Sequence, residues 1–450
     1  MFETKVKELL LKKDLKSLKE VLNLETPVNI AEFIEANSEN EKDIIILFRL
    51  LHKELAAEVF ANLDADEQIK IVGSINDDKL QSLLEELYFD DMIDFLEEMP
   101  SNVVKRVLEN YKHENRSLIN QFLSYEEDSA GSLMTIEYLS LRSNQTVKES
   151  LEHIRKYAEE LETIDVAYVI DKNKKLEGEI TLKKLLASSD DEIIENIMDK
   201  NILSVKTSTN QEEAVKLFKK YDLTVLPVID KENILVGIIT IDDMVDVIEE
   251  ENTEDFQKMA AMAPSKEEYL ETSVLHLAKN RLTWLLVLMV SATFTGSIIS
   301  KYEEIIEQMV VLAAAIPMLM DTGGNAGSQS STLIIRGMAL GEIKMSDYLK
   351  VVWKELRVSL IVGLGLGAVN FLRMNYILKQ DFKMSMLVSV TLGVTVVIAK
   401  LVGGLLPIGA KKLKLDPAIM AGPLVTTIVD ALALVIYFYL AMFLYSDVLR

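Results

Sequence analysis

The chain has 450 residues, no cysteine and a formal net charge of −23. Disulfides and thiolate metal sites are therefore excluded, and so is nucleic acid, whose phosphates need basic patches. The charge is segregated: residues 281–450 hold 15 of the 48 Lys/Arg and 11 of the 71 Asp/Glu, leaving 33 and 60 in residues 1–280, so an apolar half of net +4 follows an acidic half of net −27. No apolar run follows Met1, and the acidic half is expected to stay in the cytoplasm.

In chain order, Leu63, Ile75, Leu87 and Met99 recur every 12 residues, each followed by a polar, acidic or Pro turn. That spacing predicts short stacked helices capped by Asp, Asn or Ser, an acidic α-superhelical N-domain over residues 1–128. A second repeat follows. Ala167–Thr181 matches Leu226–Thr240 at an offset of 59, and Thr146–Tyr157 matches Asn210–Tyr221 at an offset of 64. Each copy reads helix, strand, turn, strand, helix, with Gly178 and Gly237 letting the chain enter the next strand closely. The repeat resembles a tandem pair of α/β cystathionine-β-synthase (CBS) domains over residues 129–248, divided into 129–198 and 199–248. That resemblance makes ATP a candidate ligand. The second copy ends Thr240-Ile-Asp-Asp243, with a carboxylate where a ribose could be held; the first ends Thr181-Leu-Lys-Lys184, without one. One nucleotide site at most is expected, at Asp243.

Asp242 to Met262 predicts a long helix with an apolar stripe of Val245, Ile248, Phe256, Met259 and Met262. Pro264 ends it, and Ser265 with Glu268 suggests a capping box for the next helix. Residues 249–278 are read as a linking, plug-like segment, and residues 279–450 as an all-α transmembrane domain.

Five spans are predicted, at Leu282–Ser300, Gln308–Ile335, Val358–Leu372 (lengthened by Val351–Arg357), Met384–Ala410 and Pro417–Ser446. Lys and Arg concentrate after the second span and in Lys411, Lys412 and Lys414, which puts the N-terminus in the cytoplasm and, with an odd count, the C-terminus outside. The second span contains Pro317, Asp321, Gly323, Gly324, Asn325, Gly327 and Gln329. Such polarity at bilayer depth, and any non-helical backbone there, survives only where it lines a cavity or packs on protein. Asp430 in the fifth span lies 14 residues beyond Asp416, about 21 Å along a helix. A carboxylate that deep marks an ion path by default. Lys400 of the fourth span is expected to snorkel to the inner interface rather than pair with Asp430.

Pro317, Gly323, Gly324, Asn325, Gly327 and Gln329, together with Asp416-Pro417-Ala418 and Gly422-Pro423-Leu424 to Asp430, resemble the MgtE family of magnesium channels. The segments Glu127–Thr135 and Asp242–Asp255 are similar to that family too, so the resemblance covers essentially the whole chain. It implies a homodimer in the cell membrane, with a superhelical N-domain, paired CBS domains, a plug helix and five spans around a pore on the dimer axis, gated by intracellular Mg²⁺. The chemistry agrees. Mg²⁺ dehydrates reluctantly and prefers a few oxygens, and a two-fold axis turns Asp430 into a facing pair. Asn325 and Asp416 are expected to line the cavity and its vestibule. The gating ligands expected are Glu58, Asp90 and Asp94 of the N-domain, Asp222, Asp243 and Asp246 of the second CBS copy, and Glu251, Glu254 and Asp255 of the plug helix. The alternative is a membrane-anchored CBS nucleotide sensor without transport. An intramembrane metalloprotease needs His-Glu-x-x-His, and His52, His113, His153 and His276 all lie outside the spans, so no enzyme is expected.

Overall fold

The computed structural model describes every residue except 1, 38–40, 111–115, 266–268, 271 and 446–450. Ser446, the expected end of the fifth span, and Glu268 of the expected capping box lie outside the described residues. Ten helices open the described chain: α1 (Phe2–Lys12), α2 (Leu15–Leu22), α3 (Pro27–Glu35), α4 (Glu41–Leu50), α5 (Lys53–Ala61), α6 (Ala65–Ser74), α7 (Asp77–Leu84), α8 (Phe89–Glu98), α9 (Ser101–Asn110) and α10 (Arg116–Phe122). Leu63, Ile75, Leu87 and Met99 are buried at the joints between successive helices. The side chain of Asn76 caps α7 by accepting from the Lys79 backbone N–H. Most helices pack on the one two places along, α2 on α4, α3 on α5, α4 on α6 and α5 on α7. A 12-residue period thus builds a superhelix, each turn covering its neighbour's apolar face.

The two CBS copies repeat one plan. In the first, β1 (Tyr138–Arg142), α11 (Val147–Tyr157), β2 (Thr163–Ile170), β3 (Leu176–Thr181), α12 (Leu182–Ala187) and α13 (Ile194–Ile197) follow one another. In the second come β4 (Val205–Lys206), α14 (Gln211–Tyr221), β5 (Val225–Ile229), β6 (Leu235–Thr240) and α15 (Ile241–Met259). Each sheet has three strands, the first pair parallel and the second antiparallel. The repeat extends to the register: Gly178 faces Val169 as Gly237 faces Val228. A Cβ on Gly237 would lie 2.7 Å from the Thr135 carbonyl oxygen, which explains the glycine there. Thr146 and Asn210, the first residues of the matched segments, are the N-caps of α11 and α14. Tyr168, Ile170, Val225, Leu235 and Ile238 form a core shared by the two copies.

The chain divides into two compact units, Met1–Val247 and Ile248–Arg450. The helix α15 runs through that division, and the boundary at 248/249 lies within it, inside the long helix expected over Asp242–Met262. After it come α16 (Val274–Lys301), α17 (Glu303–Gln308), α18 (Val311–Ala339), α19 (Tyr348–Leu372), α20 (Phe382–Lys412) and α21 (Gly422–Leu444). A π-helical turn at Arg373–Ile377 extends α19, and a 3₁₀ turn at Pro417–Met420 precedes α21. Four stretches, Val274–Lys301, Met345–Ile377, Phe382–Lys412 and Pro417–Leu444, are long and apolar enough to cross a membrane. The other expected span is α18. Its 29 residues reach about 43 Å, but its polar residues keep it out of that apolar set. The helix packs on α20 and α21, and α19 packs on α20.

Candidate functional site

The Asp, Asn and Gln of α18 share one exposed side. Gly323, Gly324, Ala326, Gly327 and Ser330 are buried, while Pro317, Asp321, Asn325 and Gln329 are exposed. Four-residue spacing stacks these last four along one face. Asn325 Nδ2 donates to Asp321 Oδ1 at 3.2 Å, leaving the Asn325 amide oxygen available to a cation. The backbone from Gly323 to Gly327 is helical throughout, so the glycines act in packing and only side chains shape the exposed stripe. At Gly327 an added Cβ would lie 2.7 Å from Val425 and 3.2 Å from the Ala399 carbonyl oxygen. Small residues let helix backbones meet this closely.

On α21, Thr426 and Thr427 donate to the Gly422 and Pro423 carbonyls at 3.0 and 2.9 Å, and Asp430 follows one turn later, half-buried. Its Oδ1 is buried without a hydrogen-bond partner among the described residues, and Asp321 of α18 is close enough to repel it. An unpaired carboxylate oxygen away from water is costly until it meets a cation, a proton or water.

Lys400 does not snorkel. It is 5% exposed, and Nζ donates to Gln329 Oε1 at 3.4 Å and Ser330 Oγ at 3.5 Å. The sequence pattern hid this because the tight glycine contacts bring α18 and α20 together around the ammonium.

Asp416 is the N-cap of the turn before α21. Its Oδ1 accepts from the Ala418 N–H at 2.8 Å, and its Oδ2 accepts from Lys258 Nζ at 2.6 Å. Lys258, near the end of α15, also pairs with Glu254 at 2.5 Å. Burial pushes the Lys258 ammonium down, but Asp416 and Glu254 outweigh it and hold the group above its ordinary range. The expected vestibule ligand and one expected gating ligand thus share a lysine. Gly422 (φ +43°) seats beside the Met259 carbonyl, where an added Cβ would lie 2.7 Å away. Glu251 and Asp255 lie half-buried on the same helix.

A second acidic centre lies in the soluble half. Carboxylate oxygens of Asp90, Glu137 and Glu162 all fall within 4.8 Å of one another. Burial, then Asp243, Asp91 and Glu162, push Asp90 up to about 9. Burial and Asp243 raise Asp91 to about 6 and Glu162 to about 7. Glu137 is steadied by the Phe89 N–H at 3.0 Å and the Thr135 hydroxyl at 2.8 Å. Of the expected gating ligands, Asp90 and Asp243 are brought together here. Glu58, Asp94, Asp222 and Asp246 are exposed, Asp94 one turn beyond Asp90 and Asp222 in the left-handed C-cap of α14. Asp91, Glu137 and Glu162 were not singled out from the sequence. The offset of the repeats places Glu162 before β2, but only tertiary folding brings it to α8. Four or five crowded carboxylates with one buried orphan oxygen, Glu162 Oε2, suit a hard divalent cation.

The electrostatics predict a pH dependence. An unfolded Asp or Glu titrates near 4, whereas these folded groups titrate at about 6 to about 9. The folded state therefore binds more protons across that window, and stability falls as pH rises through it. In chelator, the melting temperature of the full chain's soluble half should fall by about 5 °C or more between pH 5.5 and 8.5, the size of a ~2 kcal/mol loss. Excess Mg²⁺ should flatten the decline; a flat profile in chelator would contradict the crowding.

Asp243 faces this acidic centre, its Oδ2 accepting from the Thr240 hydroxyl at 2.6 Å. A cavity of about 600 Å³ lies instead at the first copy, lined by Asp165, Val166, Thr181, Lys183, Leu186 and Thr224 among others. It offers a carboxylate, a hydroxyl and an ammonium around apolar walls, and Asp243 is not among its lining residues.

Residues 316–440 match the family model MgtE, divalent cation transporter; residues 25–128 match the MgtE intracellular N domain, and 130–191 and 194–250 the CBS domain. The chain is 36% identical over 448 residues to the magnesium transporter MgtE of Thermus thermophilus, with 98% of each chain covered. To the Bacillus subtilis magnesium transporter MgtE it is 31% identical over 384 residues, 85% of this chain and 84% of that one. Among solved structures, the cytosolic domain of the Mg²⁺ channel MgtE in complex with ATP is similar at 34% identity and TM-score 0.51, over 54% of this chain and 99% of that one. The soluble part of a magnesium transporter is similar at 28% identity and TM-score 0.52, over 56% and 98%.

Proposed function

Because the chain belongs to the MgtE family of magnesium transporters, we propose that it is a multi-pass cell-membrane channel that admits Mg²⁺ and closes as internal Mg²⁺ rises. The observation that carries this reading is the exposed stripe of Asp321, Asn325 and Gln329 on α18, with the half-buried, unpartnered Asp430 carboxylate on α21. A polar face of this kind is costly against lipid, so it must meet water or another polar face. A homodimer with α18 and α21 on its axis meets that need, facing two Asp430 carboxylates across a hydrated path. Mg²⁺ keeps several waters when bound, so few protein oxygens suffice. The N-terminus is cytoplasmic and the C-terminus outside. Internal Mg²⁺ is read by Asp90, Asp91, Glu137, Glu162 and Asp243, joined by Glu58, Asp94, Asp222 and Asp246, and by Glu251, Glu254 and Asp255 on α15. Mg²⁺ uptake by protein reconstituted in liposomes tests the reading. A membrane-anchored nucleotide sensor would give no uptake.

Nucleotide binding is a separate part of the proposal. The solved relative that contains ATP is similar to this soluble half, and we assign the nucleotide to the cavity at Thr181 and Lys183. Lys183 would hold phosphate and Asp165 a ribose hydroxyl. The alternative contact, Asp243, lies among carboxylates that repel a triphosphate. By calorimetry, Lys183→Glu is expected to weaken ATP binding at least about tenfold, the cost of one charged contact, while Asp243→Ala changes it little. Loss of binding in Asp243→Ala with normal binding in Lys183→Glu would return the site to the second copy.

A further inference from the structure

Three helices of the membrane domain meet at a buried charged network that the proposed ion path does not use. Lys400 of α20 is 5% exposed, Ser330 of α18 is 1% and Glu355 of α19 is 9%. Lys400 Nζ donates to Ser330 Oγ at 3.5 Å, and the Ser330 hydroxyl donates in turn to Glu355 Oε2 at 2.6 Å. A hydroxyl that accepts from an ammonium and donates to a carboxylate bridges an ion pair. Apolar side chains of similar volume would pack as well or better here, so stability alone does not account for the pair.

The same ammonium reaches the exposed stripe. Lys400 Nζ donates to Gln329 Oε1 at 3.4 Å. A lysine has only donors, so the amide must turn its oxygen to Lys400 and leave its NH₂ for the stripe. One turn earlier the polarity is reversed: Asn325 uses its NH₂ on Asp321 and keeps its oxygen free. Neighbouring amides about 6 Å apart along α18 thus offer a cation opposite ends, oxygen at Asn325 and N–H at Gln329. The positive charge of Lys400 stands directly behind the second.

We propose that Lys400, acting through Gln329 and balanced by Glu355, is a positioning residue that ends the Mg²⁺-attracting stretch of the path at Asn325. The inference rests on the Mg²⁺-path reading above. Ions held at Asp321, Asn325 and Asp430 meet a donor-lined, positively backed segment toward the C-terminal end of α18. That segment keeps binding weak enough for ions to leave, as conduction requires.

The test is the Mg²⁺ dependence of uptake in liposomes holding the full chain. Lys400→Met removes the charge and releases Gln329. The half-saturating Mg²⁺ concentration is expected to fall at least about tenfold, since a unit charge roughly 10 Å from a divalent ion is worth more than that at an effective dielectric of 20 before Glu355 offsets part of it, and the maximal rate to fall with it. Glu355→Gln leaves the ammonium unbalanced and should raise the half-saturating concentration. Lys400→Arg keeps the charge and should stay near the wild type. A network that only held the helices together would move both neutralising variants in the same direction, or change the rate alone. Either result, or an unchanged half-saturation, overturns the proposal. If Lys400→Met fails to reach the bilayer, Glu355→Gln decides: an unchanged or lowered half-saturation overturns it. Wild-type protein without Mg²⁺ uptake would instead defeat the Mg²⁺-path reading itself.

Discussion

Asp430→Ala is expected to abolish Mg²⁺ uptake, to below about 1% of the wild-type rate, while the protein still inserts and assembles. Asp430 is the one carboxylate on α21, and one of its oxygens is buried with no partner among the described residues. Removing a buried unsatisfied acceptor relieves a desolvation cost of about 1–3 kcal/mol, so the variant should melt no lower than the wild type. That combination, lost transport with intact or raised stability, separates an ion ligand from a packing residue. Asn325→Leu should also reduce uptake, more mildly, because it removes a neutral oxygen rather than a charge. Undiminished uptake by Asp430→Ala would remove the ion path from this face of α21.

Glu251→Ala, Glu254→Ala and Asp255→Ala together are expected to leave the channel conducting at about 20 mM Mg²⁺, where the wild type is closed. Unit charges 4 Å apart repel by about 4 kcal/mol at an effective dielectric of 20. On the proposed gating, an acidic half of net −27 would resist compaction until divalent ions bridge it. One contact that such closure would reinforce is the ion pair by which Lys258 ties α15 to Asp416 at the foot of α21, with Glu254 as its second partner. Both members of the Lys258–Asp416 pair are mostly buried, with side-chain exposures of 20% and 31%. Such charged hydrogen bonds are worth about 1.5–3 kcal/mol, so Lys258→Met should raise the Mg²⁺ needed for closure at least about tenfold. Protease protection of the soluble half, followed across about 0.1–20 mM Mg²⁺, a range chosen for weak multi-carboxylate sites, should rise in the wild type and lag in the triple variant. Equal protection at both ends of the range would leave closure by Mg²⁺ without support.

Periodicity carried far in this chain because its repeats are local. The 12-residue spacing of Leu63 to Met99 and the matched starts at Thr146 and Asn210 depend on neighbours a few residues away, and the structure keeps them as joints and caps. Four of the five expected spans follow from composition for the same reason, and α18 does not, because of its polar residues. The contacts that escaped are those between distant segments. Glu137 and Glu162 join Asp90 from 47 and 72 residues downstream, with no motif to announce them. Asp416 meets Lys258 across 158 residues. Lys400 looked like an interface lysine because its flanks are apolar in both directions; what holds it inside is Ser330 and Gln329, 70 and 71 residues earlier. The Gly-rich motif suggested irregular backbone, whereas its glycines serve a helix face.

That face limits how the membrane domain can move. Gly403 of α20 sits so close to the Gly327 carbonyl oxygen that no Cβ could fit between them, and Gly324 lies against Thr426 of α21. Backbone against backbone is a stiff joint, without long side chains to slide or change rotamer as a cushion. Widening by a local kink in α18 would have to break that joint. Motion costs less where α18, α20 and α21 rock as one block, turning like a hinged door leaf rather than flexing like a reed. A small tilt of the turn that begins at Asp416 is then geared directly to the position of the Asp430 carboxylate, in the first half of the helix that follows.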